Sequence, residues 1–403
     1  MSSPLGRGLG SPLLAGRRSP ARGRRERAWS RGVARRRSAA ESPDLLLDAP
    51  SRPRLGSRAR VDGHRRGRAG DRVGRARPAA RATHRGVHPP AGTPGRGLIA
   101  SPPLVSVLIA TWNNGAELQG CLGSLRQLEY PKDRLEVVIF DNGSTDGTEQ
   151  AVRECSGKLE AEGWARVAFD RSSENLGAFG GRAAARRLLG PGADFVLSLD
   201  DDAEPEPDAL VRLVRTAADP RVGVVGARIV YWDSPSETAS AAGHFDARLG
   251  RFAERRPAGP AACDFVSSCG CLIRRRVMDE LSGFDGSFFT SHGDVDLCLR
   301  AKARGWAVWY DPGAVIRHRV ARGGTRTPER VYYGYRNKLL LLRRHVPPRR
   351  RPLVWGLYAV GWLPRILVGS VCHHRGLAWR EIRAILLGVA DGVRGRRGRA
   401  TWF

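Results

Sequence analysis

Short apolar runs alternate with amphipathic stretches along the chain from residue 105 onward. Residues 105–110 (Val-Ser-Val-Leu-Ile-Ala) read as a strand, 115–128 as a helix, 135–140 as a second strand and 146–159 as a second helix. Residues 165–169, the Ala-rich 178–189, 195–199 and 207–218 continue the alternation, and Val222–Tyr231 reads as a further strand. The run Phe195-Val196-Leu197-Ser198-Leu199 has almost no polar face, as expected of a strand covered on both sides. Repeated strand–helix–strand units predict an α/β fold with a mostly parallel sheet flanked by helices. No stretch recurs at a fixed period, which excludes a solenoid.

Composition divides the chain. Residues 1–98 hold 24 arginines against six acidic residues and contain no Phe, Tyr, Ile, Asn, Lys, Gln or Cys. They account for +18 of the formal net charge of +28. So few large apolar side chains cannot offset the entropy of ordering, so this arm is expected to be disordered. A basic segment for nucleic acid or anionic lipid is one reading, but Trp29 is its only aromatic residue, and no specific nucleic-acid partner is expected. The missing residue types are largely those with AT-rich codons, so the arm also reads as GC-rich DNA translated upstream of a true start within residues 87–98. No apolar segment follows the basic residues as in a signal peptide. All seven cysteines lie beyond residue 98, at spacings that match no CxxC pair, and are expected to be reduced.

The polar signatures fall at the ends of the predicted strands, where open α/β sheets bind ligands. Asp200-Asp201-Asp202 follows the buried run; carboxylates this close stay ionised together only if water or a hard cation compensates them. Thr111-Trp112-Asn113-Asn114 follows the first strand. Asp141-Asn142-Gly143-Ser144-Thr145-Asp146 follows the second, placing Asp141 to accept hydrogen bonds from a base or ribose while Ser144 or Asp146 caps the next helix. Asn175-Leu176-Gly177 with Gly180-Gly181-Arg182 puts glycines at the mouth of a helix, where backbone can approach a diphosphate and Arg182 can clamp it. The spacing is not GxGxxG, so a dinucleotide fingerprint is absent.

These motifs, together with Gly283-Phe284-Asp285, Phe288-Phe289, Asp294-Val295-Asp296-Leu297-Cys298-Leu299-Arg300, Pro312 and His318, resemble the family 2 glycosyltransferases over residues 105–318. These are inverting, nucleotide-sugar-dependent enzymes of GT-A fold, rhamnosyl- and galactofuranosyltransferases among them. The resemblance implies that Thr111, Asn113, Asp141, Asn175, Gly181, Arg182, Asp200 and Asp201 line a site for a UDP- or dTDP-linked sugar. It further implies that Asp200, Asp202 and His318 hold Mg²⁺ or Mn²⁺, and that Asp294 is the catalytic base. Members usually carry Glu before that aspartate; here Gly293 stands in its place, with His292 just upstream. No Gln-x-x-Arg-Trp sequence of processive members occurs, so transfer of one or few sugars is expected.

A GT-A domain over residues 99–325 and a helical, membrane-associating region over 326–403 follow from this reading. Residues 352–372 are mostly apolar but interrupted by Pro364 and Arg365, and Arg343, Arg344 and Arg349–351 precede them. A central arginine is costly inside a bilayer, so a helix lying in the membrane surface, or simply a packed helix pair, is expected rather than a span. The resulting expectation is a metal-dependent, non-processive transferase at the cytoplasmic face of the cell membrane. Its acceptor would be a lipid-linked or cell-envelope glycan. A family member that binds nucleotide sugar or glycan without turnover is the alternative that Gly293 raises.

Overall fold

The computed structural model describes residues 101–321, 327–373 and 378–401. The arm predicted to be disordered, and the start predicted within residues 87–98, lie outside the described residues. The first half alternates as the pattern predicts: β1 (Val105–Thr111), α1 (Gly115–Leu125), β2 (Leu135–Asp141), α2 (Thr148–Ala161), β3 (Arg166–Arg171), α3 (Gly177–Ala185) and β4 (Phe195–Asp200). There follow β5 (Ala203–Pro205), α4 (Ala209–Thr216), β6 (Val222–Tyr231), β7 (Ser234–Ser240), β8 (Ala242–Asp246), β9 (Arg251–Arg255), β10 (Ala261–Cys263) and β11 (Cys271–Arg274). Next come α5 (Arg275–Glu280), α6 (Gly293–Ala303) and β12 (Ala307–His318).

The main sheet has the order β10-β12-β6-β11-β4-β1-β2-β3, with β5 on β12 and β7 on β6. β3-β2-β1-β4 and β6-β12 are parallel. The sheet is nevertheless mixed rather than mostly parallel, because β11 enters antiparallel between β4 and β6, and β5, β7 and β10 add further antiparallel joins. These strands are short or polar and carry no period-2 signal.

Alternation along β1 and β2 divides the interior. Val107, Ile109, Val137 and Ile139 face Leu118 and Leu122 of α1, Val152 of α2 and Leu213 of α4. Leu108, Val138 and Phe140 face the opposite way, toward Phe179 of α3, Leu297 of α6 and, beyond them, Leu339 and Leu341. Each such fully buried side chain stabilises the fold by roughly 1.5–3 kcal/mol, which makes the register of β1 and β2 hard to shift.

The C-terminal part is helical: α7 (Pro328–His345), α8 (Arg351–Gly356), a π-helical turn (Leu357–Trp362), α9 (Leu363–His373) and α10 (Ala378–Arg394). Helix α7 is buried, with Tyr332, Tyr333, Tyr335, Arg336 and Asn337 all inside. Helix α10 lies close along it: a Cβ added at Gly388 would meet the Tyr332 carbonyl at 2.5 Å, and Tyr332 donates to Asp391 at 2.8 Å. Pro364 lacks an N–H and would clash with a carbonyl one turn back, and the widened π turn just before it lets the helix run on without a break. Pro348–Gly369 is the one helical run among the described residues long and apolar enough to cross a membrane, and little of it is buried.

Candidate active site

Parallel register brings the strand ends together. Thr111 lies opposite Asp141, and Ala110 opposite Asp200, so β1 sits between two aspartate-bearing strand ends. The chain leaves β1 toward β2 and β3 on one side and returns to β4 on the other, a topological switch point.

Asp141 is fully buried. Its Oδ1 accepts from the Ser144 amide at 2.9 Å and the Ser144 hydroxyl at 2.5 Å. Its Oδ2 has no hydrogen-bond partner and lies 3.4 Å from the Arg171 Nε. The buried Oδ1 of neighbouring Asn142 is also without a partner. The Asn142 oxygen is costly to leave unmet, and Asp141 Oδ2 has only the loose Arg171 ion pair, so N–H or O–H groups of a ligand would satisfy both. Asn113 instead ties the two strand-end loops: at a φ of 49°, its amide donates to Ser144 and its Oδ1 accepts from Thr145 at 2.8 Å. Asp146, not Ser144, serves the first turn of α2, accepting from the Thr148 amide at 2.9 Å.

The aspartate triplet is divided by its contacts. Asp200 is ion-paired with the buried Arg182, whose guanidinium also reaches the Ser198 hydroxyl, the Leu199 carbonyl and the Ala178 carbonyl. Arg182, predicted to clamp a diphosphate, is thus turned to Asp200 and fixes its carboxylate. Burial pushes the Asp201 carboxyl up to about 6, and the neighbouring charges of Asp202 and Asp200 add to this. Asp202 accepts or shares a hydrogen bond with the His318 Nε2 at 2.9 Å, and Asp200 Oδ2 is 3.4 Å from the same nitrogen. Burial works to raise the Asp202 carboxyl, but His318 holds it below the usual range. Burial likewise opposes charge on His318, but Cys269, Asp202 and Asp200 outweigh it and push the imidazole up to about 12. Asp200, His318 and Cys269 bring one ligand atom each within 4.8 Å of one another. Cys269 was missed in the sequence because β11 and the turn before it carry no pattern that places them beside β4.

The glycines serve packing. Gly177, at a φ of +78°, lies where a Cβ would be 2.4 Å from the Phe289 carbonyl, and Asn175 Oδ1 accepts from the Gly177 amide at 2.7 Å. A Cβ at Gly181 would meet the Asn142 amide at 2.5 Å, so Gly181 lets α3 lie against the β2 loop.

The second acidic site is at the start of α6. Asp294 Oδ1 accepts from the Val295 amide at 2.8 Å and Oδ2 from the Ser268 amide at 3.2 Å. Burial raises its carboxyl, and the charge of Asp200 adds to this, so the two acidic sites sense one another. Asp296, two residues on, is fully buried in an ion network with Arg300 (2.7 Å), Arg344 (2.8 Å) and His345 (2.9 Å). His292 precedes the helix at a φ of 67°, buried, with Nδ1 lacking a partner.

Helix α7 holds the loop in front of this site. Asn337 donates to the carbonyls of Phe288 (2.8 Å), Thr290 (2.5 Å) and Ser291 (3.0 Å), and Arg336 to those of Phe288 and Gly398. Three residues of that loop, Phe289, Ser291 and His292, have positive φ. Arg336 and Asn337 fall within the helical region expected over 326–403, where a polar pair amid an apolar run was the signal available.

A sheet whose strand ends carry these aspartates beside a histidine, facing a second aspartate at a helix start, is of the GT-A class of α/β folds. The chain belongs to glycosyltransferase family 2: the family model described as glycosyltransferase like family 2 matches residues 102–332. A probable glucomannan 4-beta-mannosyltransferase 6 of Oryza sativa subsp. japonica is 31% identical over 229 residues, 52% of this chain and 37% of that protein. The chain therefore spans little more than a third of that relative. An N-acetylglucosaminyl-diphospho-decaprenol L-rhamnosyltransferase of Mycobacterium tuberculosis is 29% identical over 280 residues, 63% of this chain and 89% of that protein. Among solved structures, the mannosyltransferase PcManGT from Pyrobaculum calidifontis, in complex with GDP-Man and Mn²⁺, matches with a TM-score of 0.49 at 20% identity, covering 72% of this chain and 87% of that one.

Proposed function

We propose that this chain transfers one sugar, with inversion, from a UDP- or dTDP-linked donor to a lipid-linked or cell-envelope glycan acceptor. The observation that carries the reading is the meeting, at the ends of β1, β2 and β4, of buried acceptor oxygens without a hydrogen bond on Asp141, where Arg171 is the ion-pair partner, and on Asn142, with the Asp200, Asp202 and His318 group. The first pair suits the hydrogen-bond donors of a base and ribose. The second is a set of oxygen and nitrogen donors that suits a hard or borderline divalent cation, Mg²⁺ or Mn²⁺. Such a cation supplies charge neutralisation for a leaving diphosphate.

In this reading Asp294 takes the proton of the acceptor hydroxyl. The acceptor oxygen forms the new bond to the anomeric carbon from the face opposite the diphosphate, which departs with the electron pair of the broken C–O bond. A raised carboxyl, buried yet held by two backbone amides, makes Asp294 a stronger base than an exposed aspartate while keeping it aimed. Arg182 positions Asp200, and Asn337 positions the loop leading to Asp294.

The exposed faces of the C-terminal helices support work at a cytoplasmic membrane surface on a lipid-linked acceptor. Leu353, Leu357, Val360 (81% exposed) and Val368 point outward on α8, the π turn and α9, and Trp379 (75% exposed), Leu386 and Val393 on α10. Arginines 349, 350, 365, 380, 383 and 394 are exposed among them, a mixture that suits anionic headgroups and snorkelling side chains. Calorimetric titration of nucleotide sugars with and without Mn²⁺, followed by transfer to a polyprenyl-diphosphate sugar, tests the reading. Donor binding without transfer or donor hydrolysis would leave a nucleotide-sugar binder that has lost catalysis. Absence of donor binding would overturn the reading altogether.

A further inference from the structure

We infer that Cys269 is a ligand of the cation site alongside Asp200 and His318, and that its sulfur makes the site prefer Co²⁺, Zn²⁺ or Cd²⁺ to Mg²⁺. The inference rests on the cation part of the functional reading above.

The three ligand atoms converge in the structure: Asp200, Cys269 and His318 each bring one to within 4.8 Å of the other two. The position of Cys269 is fixed by backbone. The Gly270 amide donates to the Ser198 carbonyl at 2.9 Å, and the Gly270 carbonyl accepts from the Ala227 amide at 3.0 Å. Gly270 has a φ of +77°, and a Cβ there would meet the Ile316 Cδ1 at 2.2 Å, so the turn that aims Cys269 needs this glycine. The carboxylate of Asp200 is also oriented. Arg182 takes its Oδ1, and Oδ2 lies 3.4 Å from the His318 Nε2.

Other buried thiols point elsewhere. Cys121 is directed to the Asp200 carbonyl, Cys271 to that of Ser268 and Cys298 to that of Val266, whereas Cys269 meets the His318 ring. Cys269 is buried and forms no disulfide. A set of one carboxylate, one imidazole and one thiolate is borderline-soft. Mg²⁺ takes oxygen ligands and gains nothing from the sulfur, while later transition metals and Cd²⁺ do. Binding would release the thiol proton of Cys269 and the imidazolium proton of His318 to solvent, with no change of oxidation state.

The test uses the full chain with Co²⁺ as probe. Wild type should develop a near-ultraviolet thiolate-to-cobalt charge-transfer band that saturates at one equivalent, and both Cys269→Ser and Cys269→Ala should lose it. Their Cd²⁺ affinity should fall at least about tenfold while Mg²⁺ affinity stays within about twofold. Circular dichroism of the metal-free variants shows whether they are folded. If either is not, wild type still decides the matter, because bound Cd²⁺ should shield Cys269 from alkylation as read by peptide mass spectrometry. A cobalt-loaded wild type without the band, a band that persists in both variants, or Cys269 alkylated at the same rate with and without Cd²⁺ would overturn the inference. If Mn²⁺ still promotes donor binding in that case, the functional reading stands without Cys269; if wild type binds no divalent cation, the cation part of that reading falls too.

Discussion

The ring of Phe179 fills the space that a side chain at Gly293 would occupy: a Cβ there would lie 2.4 Å from the ring carbon Cγ. The departure from Glu at this position is therefore built into the packing of α3 against α6. Gly293→Glu should destabilise the fold by about 1–3 kcal/mol through overpacking. The double variant Gly293→Glu with Phe179→Ala should be more stable than the sum of the two single changes. Urea unfolding of all four proteins gives the coupling, and strict additivity would show that the ring does not exclude the side chain.

Asp294→Asn keeps shape but loses the proton acceptor. Transfer should fall about 10²–10⁴-fold while donor affinity changes only a few-fold. Because burial raises the wild-type carboxyl, the acid limb of kcat/KM should lie above the ordinary carboxylate range. The charged carboxylate also opposes folding at neutral pH, so the Asn variant should melt no lower than wild type. Full transfer activity in Asp294→Asn would move the base elsewhere.

Asp296 sits two residues away and behaves differently. Burial works against its charge, but His345, Arg300 and Arg344 hold the carboxyl down at about 2. Asp296→Asn removes the buried negative charge that Arg300, Arg344 and His345 share, leaving Arg344 only Asp285, and should cost about 3–5 kcal/mol. The loss should show in unfolding midpoints and as reduced soluble yield rather than as a selective loss of kcat.

His292 is held neutral: burial, with Lys338 nearby, pushes its imidazole down to about 3. The unfolded chain takes up this proton near pH 6.5, whereas the folded chain does so only near 3. Stability is therefore intact above the unfolded value and is lost progressively as pH falls from about 6.5 toward 3. His292→Asn, which tolerates the left-handed backbone, should flatten the dependence between pH 7 and 5. An unchanged slope in denaturant titrations at the two pH values would assign the dependence to other groups.

Asn337→Ala removes three hydrogen bonds to loop carbonyls and should cost about 2–4 kcal/mol. If that loop presents Asp294 to the acceptor, kcat should fall and KM for acceptor rise while donor affinity is kept. Equal loss of donor and acceptor binding would indicate a merely structural helix.

The strand-end part of the candidate site was legible because its residues follow strands whose burial pattern is strong. Val222–Tyr231 falls on the predicted residues, and β1, β2 and β4 each run one residue past the prediction, to Thr111, Asp141 and Asp200 themselves. Polar residues that end an apolar run are visible in one dimension. The other residues were not. Cys269 reaches Asp200 and His318, and Asn337 the loop before Asp294, through long-range packing: β11 is four residues long, and α7 arrives from beyond β12. Arg182 was recognised as a site residue, but its direction depends on Ser198 and Asp200 across the sheet, which spacing cannot give.

Helix α7 faces two ways in sequence terms: its inner residues grip the loop before Asp294, and Arg336 also reaches the carbonyl of Gly398 near the chain's end. Exchange of the exposed apolar parts of α8 to α10 between family members thus has a natural grammar. Outward positions such as Leu357, Val360, Trp379 and Leu386 can be exchanged one by one without touching the site, whereas a chimera spliced ahead of α7 would carry away the clasp on the loop before Asp294.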